Sequence, residues 1–435
     1  MGQRRGSGAY AVFNSPAGQT RRSARAALLG AAFGCLILLT AGPGRADPLT
    51  FEEALARAVS DAPSLRASAL GIDAARASAT AAGQLPDPRL SFGLDGFPVS
   101  GPSAGRFDGI MMTMFKVGVQ QDLPSGARRR AERDVADADV DVARARAATT
   151  LWQVRIAAGE AWIDLHYAER RLAVLDELLA SLGPLWDAAP GGVAASRLRP
   201  AQALGPVELQ ADLEDRRDRL EADLAAARAQ LSRWTGDPAP RAEGPVPAID
   251  LDPGAGGVRL ENLPPLRAYQ AAAQRAEADV DLARAARRPD WSFEVGYARR
   301  DPMFGDLVSV GASVRLPLFQ ASRQEPLIAA RSADALRVTA EREAAERALS
   351  AAFESDMAQY ASARTRWIRA RDVVLPNLRM RADLETASYG AGAAGLAQIL
   401  DVFTALANAR LVALDREAEV ARRAVQITLT YGSGQ

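Results

Sequence analysis

Val117-Gly-Val-Gln-Gln-Asp-Leu-Pro124 decides how this chain folds. It reads as a β-strand that stops at a Leu-Pro corner and feeds a long Ala/Arg/Glu-rich helical run. The same unit returns as Val310-Gly-Ala-Ser-Val-Arg-Leu-Pro317. Each copy follows another strand-like segment and precedes a long helix. A strand–corner–helix unit that occurs twice divides the chain into two tandem halves. The first spans 47–235, with a hairpin at about 89–123. The second spans 265–435, with a hairpin at about 291–317. A Pro/Gly-rich linker, 236–264, joins them.

In the first hairpin, Leu90, Phe92 and Leu94 share one face, and Ser91, Gly93 and Asp95 share the other. The expected partner strand, Ile110 to Gln121, sets Phe115, Val117 and Val119 against Met112, Met114, Lys116, Gly118 and Gln120. In the second, Trp291, Phe293, Val295 and Tyr297 oppose Ser292, Glu294 and Gly296. Its partner places Val308, Val310, Ala312, Val314 and Leu316 against Ser309, Gly311, Ser313 and Arg315.

The rest is helical. Short helices are expected over Phe51–Ala58 and Leu65–Gln84. After Pro124, Ala131, Val135, Ala138, Val142, Ala145, Thr149, Trp152 and Ile156 form a heptad seam. A helix run on to Leu182 is about 80 Å long. Gly183–Pro206, rich in Gly and Pro, is expected to break it, with the next helix over Val207–Trp234. The second half predicts helices over Leu266–Arg288, Gln324–Tyr389 with a kink at Pro376, and Leu396–Leu429.

Lys+Arg and Asp+Glu both number 53, so no net charge draws the chain to nucleic acid. Arg21, Arg22 and Arg25 precede the apolar run Ala26–Ala41, which ends at Gly44-Arg-Ala46. Residues 1–46 therefore read as an export signal cut before Asp47. Cys35, the only cysteine, lies inside that run behind a poor lipobox, so it is read as lost with the leader.

Each strand has an apolar face and a small-or-polar face. Strands of about 9–11 residues suffice to cross a bilayer, with apolar side chains in lipid and polar ones lining a wet lumen. Four strands cannot close a barrel, and an open edge in lipid is very costly. Membrane insertion therefore requires several chains. The mature chain is read as having no 20-residue apolar span, which excludes a helical crossing.

The two helix–hairpin–helix copies, the Leu-Pro corners and the tip near Tyr389 resemble the TolC family of outer membrane factors over 47–435. Leu85-Pro-Asp-Pro88 and Met112-Thr-Met114 ahead of Val117-Gly-Val are most similar to its CzcC-like heavy-metal efflux branch. The resemblance implies a mostly α fold with a small β part. Each protomer of a homotrimer contributes four strands to a shared 12-stranded transmembrane barrel, continued by a long α-helical barrel in the periplasm. It implies an outer membrane exit duct, embedded in lipid and served by a periplasmic adaptor and an inner-membrane RND transporter. The cargo implied is heavy-metal cations. A drug-efflux or type I secretion duct is the alternative, and a secreted coiled-coil structural protein a more distant one.

The family's periplasmic gate carries a tyrosine, an arginine five residues on, and aspartates nine and twelve residues on. Tyr389 and Asp401 match its ends, whereas Ala394 and Gln398 occupy the middle positions. Asp401, with Tyr389 and Gln398, is the expected constriction, and Glu208 a weaker candidate. Lys116, Gln120, Glu294 and Arg315 are the expected lumen residues. Met112 and Met114 are a candidate Cu(I) site, set against a reading as rim packing. His166, the only histidine, reads as a packing residue, and Asp137, Asp139 and Asp141 as a solvated face. The chain carries no Ser-His-Asp order, Walker loop or dinucleotide fingerprint, so neither enzyme activity nor a cofactor is expected.

Overall fold

Alternation at the strand segments and helical periodicity around them produce one four-stranded antiparallel sheet carried on long helices. The computed structural model describes residues 48–108, 112–194, 204–249, 251 and 260–432. The expected leader, 1–46, lies outside them. The elements run α1 (Phe51–Asp61), α2 (Pro63–Ala81), β1 (Arg89–Asp95), β2 (Met114–Leu123), α3 (Gly126–Ala194) and α4 (Leu204–Thr235). Then follow α5 (Pro264–Ala285), β3 (Asp290–Arg299), β4 (Leu307–Arg315), α6 (Gln320–Arg369), α7 (Leu375–Gly390) and α8 (Leu396–Tyr431).

The sheet order is β1-β2-β3-β4, so the two hairpins join edge to edge through β2 and β3. That pairing runs from Phe115↔Arg299 to Leu123↔Trp291. Strands β1 and β4 are left as open edges.

Two helix ends and one expected kink depart most from the sequence expectation. Helix α3 does not stop at Leu182 but continues as a 69-residue helix through Gly183 and Pro184 to Ala194. Leu175, Leu178 and Leu182 pack against Leu213, Leu396 and Leu400, and this packing outweighs the weak local propensity. Helix α4 starts at Leu204, with Pro206 in the first turn, where an absent N–H breaks no intrahelical bond. The expected kink at Pro376 is a π-helical turn, Ala370–Val374. Leu375 N–H donates to Ala370 O, five residues back, and this wider turn precedes the proline ring.

The main core surrounds Trp162, which is fully buried with Phe51, Leu231 and Val425 packed in the same cluster. Its indole N–H donates to Leu49 O at 2.8 Å. Leu49 also bridges to Ala242, tying the start of the described chain to the segment after α4. Gly159 lets α8 approach α3: a Cβ there would lie 2.8 Å from Leu429 Cδ1. A further cluster joins Tyr360, Phe353 and Tyr431, and the Tyr431 hydroxyl donates to Asp356 at 3.0 Å.

Helix α8 corrects one expectation: by length and composition it is apolar enough to cross a bilayer. Its apolar residues, among them Ile399, Leu411 and Val425, are instead buried within the protein.

Candidate functional site: the exposed sheet and the α7–α8 tip

The pleat sorts the strand residues into rows that cross all four strands. One apolar row is Leu90–Val119–Val295–Val310, and the next is Phe92–Val117–Tyr297–Val308. Leu123–Trp291–Val314 lies toward the helices. Among the described residues, no helix covers this face. Phe92 is 68% exposed, Val295 54% and Val310 77%. A contiguous apolar surface of this kind, flanked by polar rows, marks a face that meets lipid or another protein.

The opposite face is polar or small. Its rows read Ser91–Gly118–Gly296–Ser309, Arg89–Gln120–Glu294–Gly311 and Asp122–Ser292–Ser313. All four expected lumen residues point to this side. Lys116 forms an ion pair with Asp95. Gln120 Nε2 donates to Asp122 Oδ1 at 3.0 Å, and Glu294 stands opposite Gln120. Arg315 stands opposite Asp290 in the β3–β4 register. Gly118 leaves room on this face, where a Cβ would come within 2.9 Å of Ser91 Oγ. Ser292 and Ser313 hydroxyls hydrogen-bond across the strands at 2.7 Å.

Asp290 is a residue that sequence reading missed. Its carboxylate accepts from Ser125 N–H at 2.8 Å and from Arg128 Nη1 at 3.3 Å. It thereby fastens the start of β3 to the β2–α3 corner, joining the two halves where the sheet meets the helices. Its position directly after Pro289, at the onset of alternation, was the available signal.

The methionines do not share a strand. Strand β2 begins at Met114, not Ile110, and Ile110 and Met111 lie outside the described residues. Thr113 is buried and donates its hydroxyl to Gly96 O at 2.9 Å, which takes the chain out of the ladder. Met112 therefore sits in the turn, 66% exposed, while Met114 pairs with Asp95 on the polar face.

At the far end of the helices, α7 and α8 meet in a tight turn. Gly392 adopts φ 74°, and its N–H donates to Tyr389 O at 2.9 Å. Gln398 is engaged as a cap: its Oε1 accepts from Gly395 N–H at 2.7 Å. Tyr389 and Asp401 are exposed at this tip. Glu208 is exposed near the start of α4. The Leu175, Leu213 and Leu400 cluster brings α3, α4 and α8 together nearby.

His166 packs against neighbouring rings. Its ring stacks on Trp162 at 5.1 Å, and burial, then Arg170, lowers its pKa below the ordinary histidine value. Asp139 pairs with Arg275 at 2.9 Å and Asp141 with Arg144 at 2.8 Å. Among the described residues, no three His, Cys, Asp or Glu side chains gather where they could hold a metal.

Known proteins share this arrangement. The chain is 26% identical over 381 residues to the cobalt-zinc-cadmium resistance protein CzcC of Cupriavidus metallidurans, covering 84% of this chain and 86% of that one. A membrane protein from Pseudomonas aeruginosa superposes with a TM-score of 0.75 at 18% identity, over 88% of this chain and 92% of that one. The Campylobacter jejuni CmeC outer membrane channel superposes with a TM-score of 0.75 at 10% identity, over 88% and 85%. The sequence profile of the outer membrane efflux protein family matches residues 54–190 and 258–433. With that profile spanning most of both halves, the chain belongs to the outer membrane efflux protein family.

Proposed function

We propose that this outer membrane efflux channel works as a homotrimer, the exit duct of a tripartite pump for heavy-metal cations. The observation that carries this reading is the sheet: apolar rows that no helix among the described residues covers, a polar reverse face, and two unpaired edges. An open edge in lipid leaves backbone N–H and C=O groups unsatisfied, so β1 and β4 must pair with sister chains. Three protomers then supply a 12-stranded barrel, with Lys116, Gln120, Glu294 and Arg315 lining its lumen. The charged long helices stand in the periplasm.

Residues 1–46 act as the export signal, and 47–235 and 265–435 are the two tandem repeats about the 236–264 linker. Asp401, repeated around the three-fold axis beside Tyr389, supplies a ring of negative charge at the periplasmic constriction. Gln398 contributes as the cap that fixes the turn. A periplasmic adaptor and an inner-membrane RND transporter deliver the cargo and supply the energy. The cation assignment follows the relatedness to a cobalt-zinc-cadmium resistance protein. The deciding experiment is a deletion strain scored against zinc, cobalt, cadmium, copper and silver beside a panel of drugs. Sensitivity to divalent cations, restored by the intact gene, supports the proposal. Sensitivity to drugs alone replaces it with the drug-efflux duct.

A further inference from the structure

Beside the π turn, residues of α3, α6, α7 and α8 line an open cleft of about 390 Å³ that the duct reading leaves unused. Four guanidiniums, Arg170, Arg371, Arg379 and Arg410, face only two carboxylates there, Glu177 and Glu417. Both carboxylates are already engaged. Arg170 Nη1 donates to Glu417 Oε1 at 2.8 Å, and Arg410 Nη1 lies 3.5 Å from Glu177 Oε1. Arg371 pairs with its neighbour Asp372 at 2.6 Å and lies over the Trp367 ring at 4.6 Å. Among the described residues, no carboxylate pairs with Arg379.

Arg410 is partly exposed, with its Nε buried inside the wall and without a hydrogen-bond partner. The backbone is also unusual here: the π turn Ala370–Val374 carries Arg371, and such turns concentrate at functional sites. Trp367, Leu375 and Leu414 give the cleft an apolar wall.

We propose that this cleft binds a small organic polyanion, a di- or tricarboxylate. The excess of guanidiniums calls for negative charge, and their planar forks match carboxylates two oxygens at a time. The volume falls in the range of small-molecule sites and is too roomy for one inorganic phosphate. The apolar wall suits a carbon body. Arg379 supplies the free donors, while Arg170, Arg371 and Arg410, each already paired with a carboxylate, complete the positive field.

The test is calorimetric titration of the assembled protein in detergent at low salt. Citrate is one titrant and inorganic phosphate the other. Citrate is expected to bind once per chain and more tightly than phosphate. Arg379→Gln is expected to weaken it roughly tenfold or more, the loss of one charged hydrogen bond. Arg347→Gln, at an exposed position on α6, should leave the affinity unchanged. Arg379 is itself exposed, so its replacement spares the core. The proposal is overturned if citrate gives no heat up to ~10 mM, a concentration that detects even weak sites. Equal affinity in Arg379→Gln also overturns it, as does phosphate binding as tightly as citrate. If citrate is silent and Arg379→Gln instead releases a co-purifying protein, the cleft holds a partner's acidic side chain and not a small anion.

Discussion

Replacing Val295 with arginine isolates the role of the apolar face. Val295 lies in the row Leu90–Val119–Val295–Val310, and strand β3 has 10 residues. At about 3.3 Å per residue and a tilt near 45°, such a strand rises roughly 23 Å, which matches an apolar band of ~25 Å. Val295 then stands near mid-membrane. An arginine there costs ~2–4 kcal/mol per chain, and roughly 6–12 kcal/mol over three copies. Glu294→Arg, one residue away but on the polar face opposite Gln120 and Gly311, places the same side chain in water and should stay within about 0.5 kcal/mol of wild type. The assay is outer membrane fractionation, followed by electrophoresis of unboiled samples to count assembled protein. Val295→Arg should lose most of its assembled fraction, while Glu294→Arg keeps it. Equal assembly of the two variants would refute the assignment of the faces.

Other perturbations probe what holds the halves together. Asp290→Ala removes the acceptor for Ser125 N–H and Arg128, and should lower stability by ~1.5–3 kcal/mol in urea unfolding. An unchanged midpoint would mean that the corner is held by something else. Trp162→Ala empties the fully buried centre of the main core and should cost ~3–5 kcal/mol. Thermal unfolding of that variant would disagree with the packing if its midpoint stayed within a degree or two of wild type. Burial, then the nearby Arg170 charge, holds the folded His166 pKa below the ordinary 6.5, so the unfolded chain binds more protons. Its contribution is fully present above pH 6.5 and is lost as pH falls through the lowered folded value. The melting temperature of wild type should therefore fall faster below that pH than that of His166→Phe; parallel curves would contradict the effect.

Much of this architecture was legible in the sequence because strand alternation is local. Trp291, Phe293, Val295 and Tyr297 point one way for reasons contained in a few residues, and the Leu-Pro corners at Pro124 and Pro317 stop their strands without help. The joining of β2 to β3 was not legible, since it depends on Leu123 meeting Trp291 across the length of α3, α4 and α5. Proline and glycine at Gly183-Pro184 argued for a break that the leucine packing around Leu182 overrides. The π turn was foreshadowed only as a kink at Pro376. Met112 left its expected strand because buried Thr113 bonds to Gly96, a contact between two turns that no periodicity encodes. The arginine cleft is the extreme case: Arg170, Arg379 and Arg410 lie on three different helices, and only the packing brings them together.

The central claim is that the exposed sheet becomes watertight only when sister chains complete it in lipid. Native mass measurement of the protein extracted from the outer membrane into detergent tests this directly. The account predicts a particle of three chains that survives extraction and stays with the membrane fraction through a carbonate wash. A single chain released to the soluble fraction, stable with its apolar strand face in water, would contradict it.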